Sequence, residues 1–189
     1  VSTLANVPVE FLAALSSLRA ARPRPELRLA EVPAPSRLAP FAVALGAEVM
    51  SDGDELATGR FILLHDPDGS DLWEGTFRIV TYIRAELDAD MGNDTLLGNV
   101  AWTWLVEALE TRGAVHRNTG GTATRILSES FGALDTRPDT IDLELRASWT
   151  PHGPEVRAHL EAWSDMVCSF AGLPPLPEGV TALAQRRRH

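Results

Sequence analysis

The chain contains no lysine: all 17 of its basic side chains other than histidine are arginine. Arginine stays protonated and offers no amine nucleophile, so Schiff-base chemistry and a lysine general base are excluded. The same absence removes the phosphate loop that needs Gly-Lys-Ser/Thr. A GC-rich genome, which favours arginine codons, is the expected source of the bias. A single cysteine, Cys168, excludes an internal disulfide and gives no zinc-ligand spacing. No run approaches the ~20 apolar residues that cross a bilayer. The opening VSTLANVPVEF has no basic segment ahead of its apolar residues, so no secretory leader is predicted. No G-x-S-x-G elbow surrounds a serine, and no Cys-His signature surrounds Cys168. A net charge of −9 argues against nonspecific nucleic-acid binding, which runs on phosphate neutralisation.

What is present is ordinary for a globular protein: 189 residues, 44% hydrophobic and 23% charged. That length suits one domain able to bury roughly two thirds of its unfolded surface. The expected organisation is a single domain over residues 1–172, then a flexible, proline-rich tail over 173–189 that ends in Arg186-Arg187-Arg188-His189. The expected compartment is the cytoplasm.

Hydrophobic periodicity predicts the elements. A helix spans Pro8 to Ala20, with Phe11, Leu12, Leu15 and Leu18 as its stripe, and Arg22-Pro23-Arg24-Pro25 stops it. Strands follow at Glu26–Val32 and Phe41–Met50, separated by a proline-rich crossing loop. Phe41 to Met50 carries small residues (Ala42, Ala44 and Gly46) on its second face, which predicts close packing there too. Arg60 to Leu87 reads as a hairpin at the centre of a sheet, its two apolar runs flanking an acidic loop. A second helix, Thr95–Arg112, precedes strands at about Thr122–Ser130 and Thr140–Thr150, and a third helix opens at Pro154. The fold class is therefore α+β: a two-layer sandwich with a mainly antiparallel sheet of five to six strands and three helices, in the order α-β-β-β-β-α-β-β-α.

Several stretches carry a resemblance: Arg37-Leu38-Ala39-Pro40-Phe41, Ala44 to Val49, Leu63 to Gly69 with Trp73-Glu74-Gly75-Thr76, Ala101 to Leu109, and Leu143 to Trp149. Across about residues 8 to 172 they resemble an uncharacterised actinobacterial family, a domain of unknown function. That resemblance implies no activity, cofactor or catalytic residue. The element order is loosely similar to type III secretion chaperone-like proteins, which implies a protein-binding module by topology alone.

The densest chemistry is the loop that holds His65, Asp66, Asp68, Asp71, Trp73 and Glu74. Imidazole and carboxylates there can serve as acid, base or metal ligands, so His65, Asp66, Asp71 and Glu74 are the catalytic candidates. The calcium-loop template fails, because counting from Asp66 places the glycine fourth rather than sixth. Asp-Pro and Asp-Gly are also strong turn formers, which makes a turn the simpler account. His116, His152 and His159 have no zinc-pair spacing and read as surface or helix-terminus residues. Asn118 to Thr122 reads as a bulge or turn rather than an anion nest. Trp73, beside the loop, and Trp102, off its helix stripe, are the candidates for recognition. No metal and no cofactor is assigned.

The expected function is a non-catalytic protein-interaction or chaperone-like module with a protein partner or as a homodimer. Two alternatives stand beside it. One is a small-molecule or metal-dependent enzyme with its site at residues 65–74. The other is an RNA-associated accessory factor, which needs Arg78, Arg84, Arg117, Arg125 and Arg146 gathered on one face.

Overall fold

The computed structural model describes residues 7–88 and 94–173. Most of the predicted tail, residues 174–189, and the centre of the polar loop after the hairpin, residues 89–93, lie outside the described residues. In chain order the elements are α1 (Val9–Ala20), β1 (Leu27–Val32), β2 (Phe41–Ser51), β3 (Asp54–Ser70), β4 (Gly75–Asp88), α2 (Leu97–Thr111), β5 (His116–Ser128), β6 (Thr140–Pro151) and α3 (Arg157–Phe170). A 3-10 turn, Gly132–Leu134, interrupts the β5–β6 connection. The strands form a single antiparallel sheet in the order β1-β2-β3-β4-β6-β5, the α+β architecture that the periodicity predicts. The β3–β4 hairpin sits at the centre, and β5 is left at an edge.

Strand alternation sorts the side chains between two faces. One face carries Val49, Phe61, Leu63, Ile79, Leu145 and Trp149, which join residues of all three helices in one core. Here α3 does most of the covering. Its Leu160, Trp163, Met166, Val167 and Phe170 are all buried, and it packs against both α1 and α2. Each such side chain contributes roughly 1.5–3 kcal/mol by leaving water. Two strand glycines let tryptophans descend onto the sheet: a β-carbon on Gly59 would lie 2.6 Å from the Trp163 ring, and one on Gly121 would lie 2.7 Å from the Trp102 ring.

The Arg-Pro-Arg-Pro segment after α1 runs along α3. Its prolines have no amide to satisfy, while the amides of Arg22 and Arg24 donate to Glu161 Oε1 and Ser164 Oγ, each at 2.8 Å. On α1 itself Leu12 is exposed, and the buried stripe is Phe11, Ala14 and Leu18 together with Ser17. The helix meets only one side of the core, so its apolar stripe is narrower than the sequence implies.

The second sheet face is half covered. The crossing segment returns Val32, Ala34 and Ala39 over Ala44, Ile62 and Leu64, and Trp73 joins them. The small residues of β2 admit this cover, since a β-carbon on Gly46 would lie 3.0 Å from Val32 Cγ1. β5 begins at His116 rather than near Thr122, and it crosses Asn118-Thr119 by a register shift between Arg117 and Gly120, with Asn118 at φ 51°. The sequence locates the irregularity and misses that the strand continues through it.

Candidate functional site

The structure separates the residues that the acidic loop suggested would act together. His65 lies within β3, not in the loop, and is fully buried. Its ring stacks on Phe77 at 4.2 Å and on Phe11 at 5.9 Å, with Phe41 at 6.2 Å, and Nδ1 is 3.0 Å from the Thr76 carbonyl. Its Nε2 has no partner among the described residues. Asp66 stands next to it along the strand, where alternation turns the two side chains to opposite faces. The Asp66 carboxylate accepts the Asp68 amide at 3.1 Å, the side-chain-to-backbone turn that the Asp-Pro-Asp sequence favours. Asp71 and Glu74 are exposed, and Glu74 takes a left-handed φ of 57° in the turn that links β3 to β4.

That turn is tethered. Three successive carbonyls accept hydrogen bonds from β5 and β6: Leu72 from Asn118 Nδ2 at 2.9 Å, Trp73 from Thr150 Oγ1 at 2.5 Å, and Glu74 from the Arg117 guanidinium. Asp66 and Trp73 do share a recess of about 460 Å³ with Arg37, Leu38 and Leu72. His65 and Glu74 take no part in lining it. Among the described residues no group of three His, Cys, Asp or Glu side chains is placed to hold a metal ion.

The other candidates disperse as well. Trp102 is half-buried over Gly121 and belongs to the helix layer. Trp104 is the more exposed of the α2 tryptophans, and it meets Phe170 edge-on at 6.4 Å. It lines an apolar groove of about 660 Å³ between α2 and α3 with Leu56, Leu87, Met166 and Phe170. His159, read as a surface or helix-terminus residue, is buried, and its Nδ1 accepts the Trp149 indole hydrogen at 3.0 Å. Burial, with His116 as a second cause, lowers its pKa to about 4. Cys168 is fully buried, and burial pushes its thiol up to about 11.

Two surface features replace the loop as places where function can reside. The first is the uncovered half of the second sheet face, a groove of about 770 Å³ that crosses β3, β4, β6 and β5. Cross-strand register places Arg60, Tyr82, Arg146 and Thr122 in one row, and Ile62, Val80, Ser148 and Gly120 in the next. Arg78 and Arg84 share this face, whereas Arg125 has the opposite parity, opposite the core residue Leu143, and donates to the Asp94 carbonyl. Arg117 is taken up at the turn. Arg84 is paired to Asp142 at 2.7 Å, and that hydrogen bond raises its pKa. Arg78 instead donates to three neutral acceptors, Asn118 O, Ser148 Oγ and Thr150 Oγ1, and burial lowers its pKa. Burial first, then the hydrogen bond to Glu144, raises that of Tyr82.

The second feature is the edge strand β5. Exposed apolar side chains collect around its C-terminal half: Ile126 and Leu127 on the strand, then Phe131 (76% exposed) and Leu134 on the connection. The start of α2 lies beside this half, since Gly98 would bring a β-carbon to 3.4 Å from that of Ala123. This adds exposed Leu96 and Val100.

The model of one family of proteins of unknown function, DUF3000, matches residues 7–181, most of the chain. The chain belongs to the DUF3000 family. Its match spans every element of this DUF3000 fold, the β3–β4 turn and β5 included. No curated protein and no solved structure matches the chain.

Proposed function

We propose that this DUF3000 chain is a cytoplasmic protein-interaction module, chaperone-like in that it takes an extended segment of a partner onto its sheet. The observation that carries this reading is the state of β5. Edge strands invite pairing, and folded proteins blunt them with short length, charge, proline or cover. β1, at the far edge, is blunted: it has six residues, includes Arg28 and Glu31, and runs into Pro33 and Pro35. β5 has 13 residues, mostly exposed, and contains neither proline nor carboxylate.

An added strand would gain main-chain hydrogen bonds from this edge and apolar contact from Leu127, Phe131 and Leu134. The partner segment that complements this edge is extended and largely apolar.

Native purification from the cell of origin tests the reading, with wild type compared to the double variant Leu127→Glu/Phe131→Asp. Wild type should retain a stoichiometric protein partner that the variant loses, and hydrogen exchange of the β5 amides should slow in the complex. A twofold self-complex with the same protection would identify the partner as a second copy. A partner held equally by the variant, or a complex that leaves β5 exchange unchanged, would sink the reading.

A further inference from the structure

We propose that the groove on the uncovered sheet face is a binding site for a small organic anion, its charged group held by Arg60 and Arg146 and its apolar body lying on Ile62 and Val80. The site is distinct from the edge of β5 and does not depend on docking there.

The charge pattern comes first. The chain carries a net −9, yet the described residues that line this groove include two arginines and no carboxylate. Arg60 is exposed and has no ion pair or side-chain hydrogen bond among the described residues. A guanidinium free of local compensation is a ready partner for a carboxylate or phosphate, which it can grip through two parallel N–H donors.

Arg146 is positioned rather than free. Its guanidinium lies 5.1 Å over the Tyr82 ring, and one nitrogen meets Glu144 at 2.8 Å. The other Glu144 oxygen accepts the Tyr82 hydroxyl at 2.9 Å. Glu144 belongs to the next row of the sheet, opposite Arg84, so it steadies the arginine without lining the groove. A guanidinium has five N–H donors in a fixed fork, and this arrangement leaves others to meet a ligand. Orientation set before binding reduces the ordering cost of the contact.

The floor supplies the rest. Val80 and the uncovered edge of the largely buried Ile62 present an apolar strip beside the cationic row, and Thr58, Thr122 and Ser148 add hydroxyls around it. At the β5 end Gly120 has no side chain, and nothing lies within 4 Å of where its β-carbon would stand. The volume, about 770 Å³, falls in the range of metabolite sites. A few convergent polar groups over an apolar floor is the composition such sites have.

A titration followed by amide chemical shifts tests this, with phenyl phosphate, benzoate and inorganic phosphate as the probes. Phenyl phosphate or benzoate should give saturable shifts at Gly120, Gly121 and Thr122, and whichever binds more tightly names the anion as phosphate or carboxylate. Inorganic phosphate should bind about tenfold more weakly than phenyl phosphate, because it leaves the floor uncovered. Arg60→Gln should weaken the aromatic anion about tenfold or more by removing a charge-assisted contact. Gly120→Val should abolish binding by filling the groove, and thermal unfolding will confirm that both variants fold. Absence of saturable shifts with both aromatic anions overturns the proposal, as does affinity unchanged in either variant. Inorganic phosphate binding as tightly as phenyl phosphate reduces the site to an adventitious ion only, and equally overturns it.

Discussion

The hydroxyl of Ser17, on α1, caps α3 by accepting the Val156 amide at 2.9 Å. The same oxygen accepts the Arg157 amide at 2.9 Å and donates to Glu155 Oε1 at 2.7 Å. A helix N-terminus leaves its first amides without partners, and here a neighbouring helix satisfies two of them from within the core. Ser17→Ala leaves the buried Val156 amide and the part-buried Arg157 amide without this partner, so it should cost about 1–3 kcal/mol. For a domain of this size the melting temperature should fall by about 2–4 °C per kcal/mol. Glu155→Gln keeps an acceptor for the hydroxyl and should be close to neutral. Equal losses in the two variants would show that the Glu155 charge, and not the cap, matters.

The strand glycines under the tryptophans predict a graded series. A methyl group on Gly59 meets the Trp163 ring first, at 2.6 Å, and then the Tyr82 carbonyl, at 3.1 Å. On Gly121 it meets the Arg146 carbonyl at 2.6 Å as well as Trp102, and a backbone atom cannot rotate away. Gly59→Ala should therefore cost about 1–3 kcal/mol, as overpacked cores do, and Gly121→Ala should cost more. Gly120→Ala, with open space at its β-carbon, should be neutral or stabilise by a few tenths of a kcal/mol through the unfolded chain. Urea unfolding of the three variants checks the order. A destabilised Gly120→Ala would show that the edge strand is held in a way its geometry does not reveal.

These positions also show what the sequence makes legible. Alternation in β6, with Ile141, Leu143, Leu145, Ala147 and Trp149 buried, follows from a period of two and is read off without a structure. The same holds for the α3 stripe from Val156 through Phe170. His65 escaped because Asp-Pro-Asp-Gly after it is strong turn chemistry, and the turn itself lies at residues 71–74 while β3 runs on to Ser70. The groove escaped for a different reason. Arg60, Tyr82 and Arg146 are neighbours only through pairing of β3 with β4 and of β4 with β6, and no local pattern encodes that juxtaposition.

The lone thiol should be inert. Cys168 is fully buried, and its pKa of about 11 leaves about a thousandth of it as thiolate at pH 8. A disulfide reagent should therefore label it only as the structure opens, at a rate that rises with denaturant in step with unfolding. Rapid stoichiometric labelling without denaturant would mean that α3 separates from the sheet far more readily than its packing allows.

The buried pair of Trp149 and His159 gives stability a pH dependence of known sign. His159 accepts the indole hydrogen at Nδ1, so its neutral form is the one that fits, and the folded pKa lies near 4 against an unfolded value of 6.5. Between these values the unfolded chain binds the proton and the folded chain does not, so stability increases with pH across the window. The contribution is fully present above about pH 6.5 and is lost as the pH falls towards 4. Its size is about 3 kcal/mol, at roughly 1.4 kcal/mol per unit. His159→Gln can keep an acceptor for the indole but cannot titrate. The difference between the wild-type and variant stability curves should then slope between pH 4 and 6.5 and be flat above it, with carboxylate titrations common to both cancelling. Parallel curves throughout that window would show that His159 takes up its proton in the folded chain as readily as in the unfolded one.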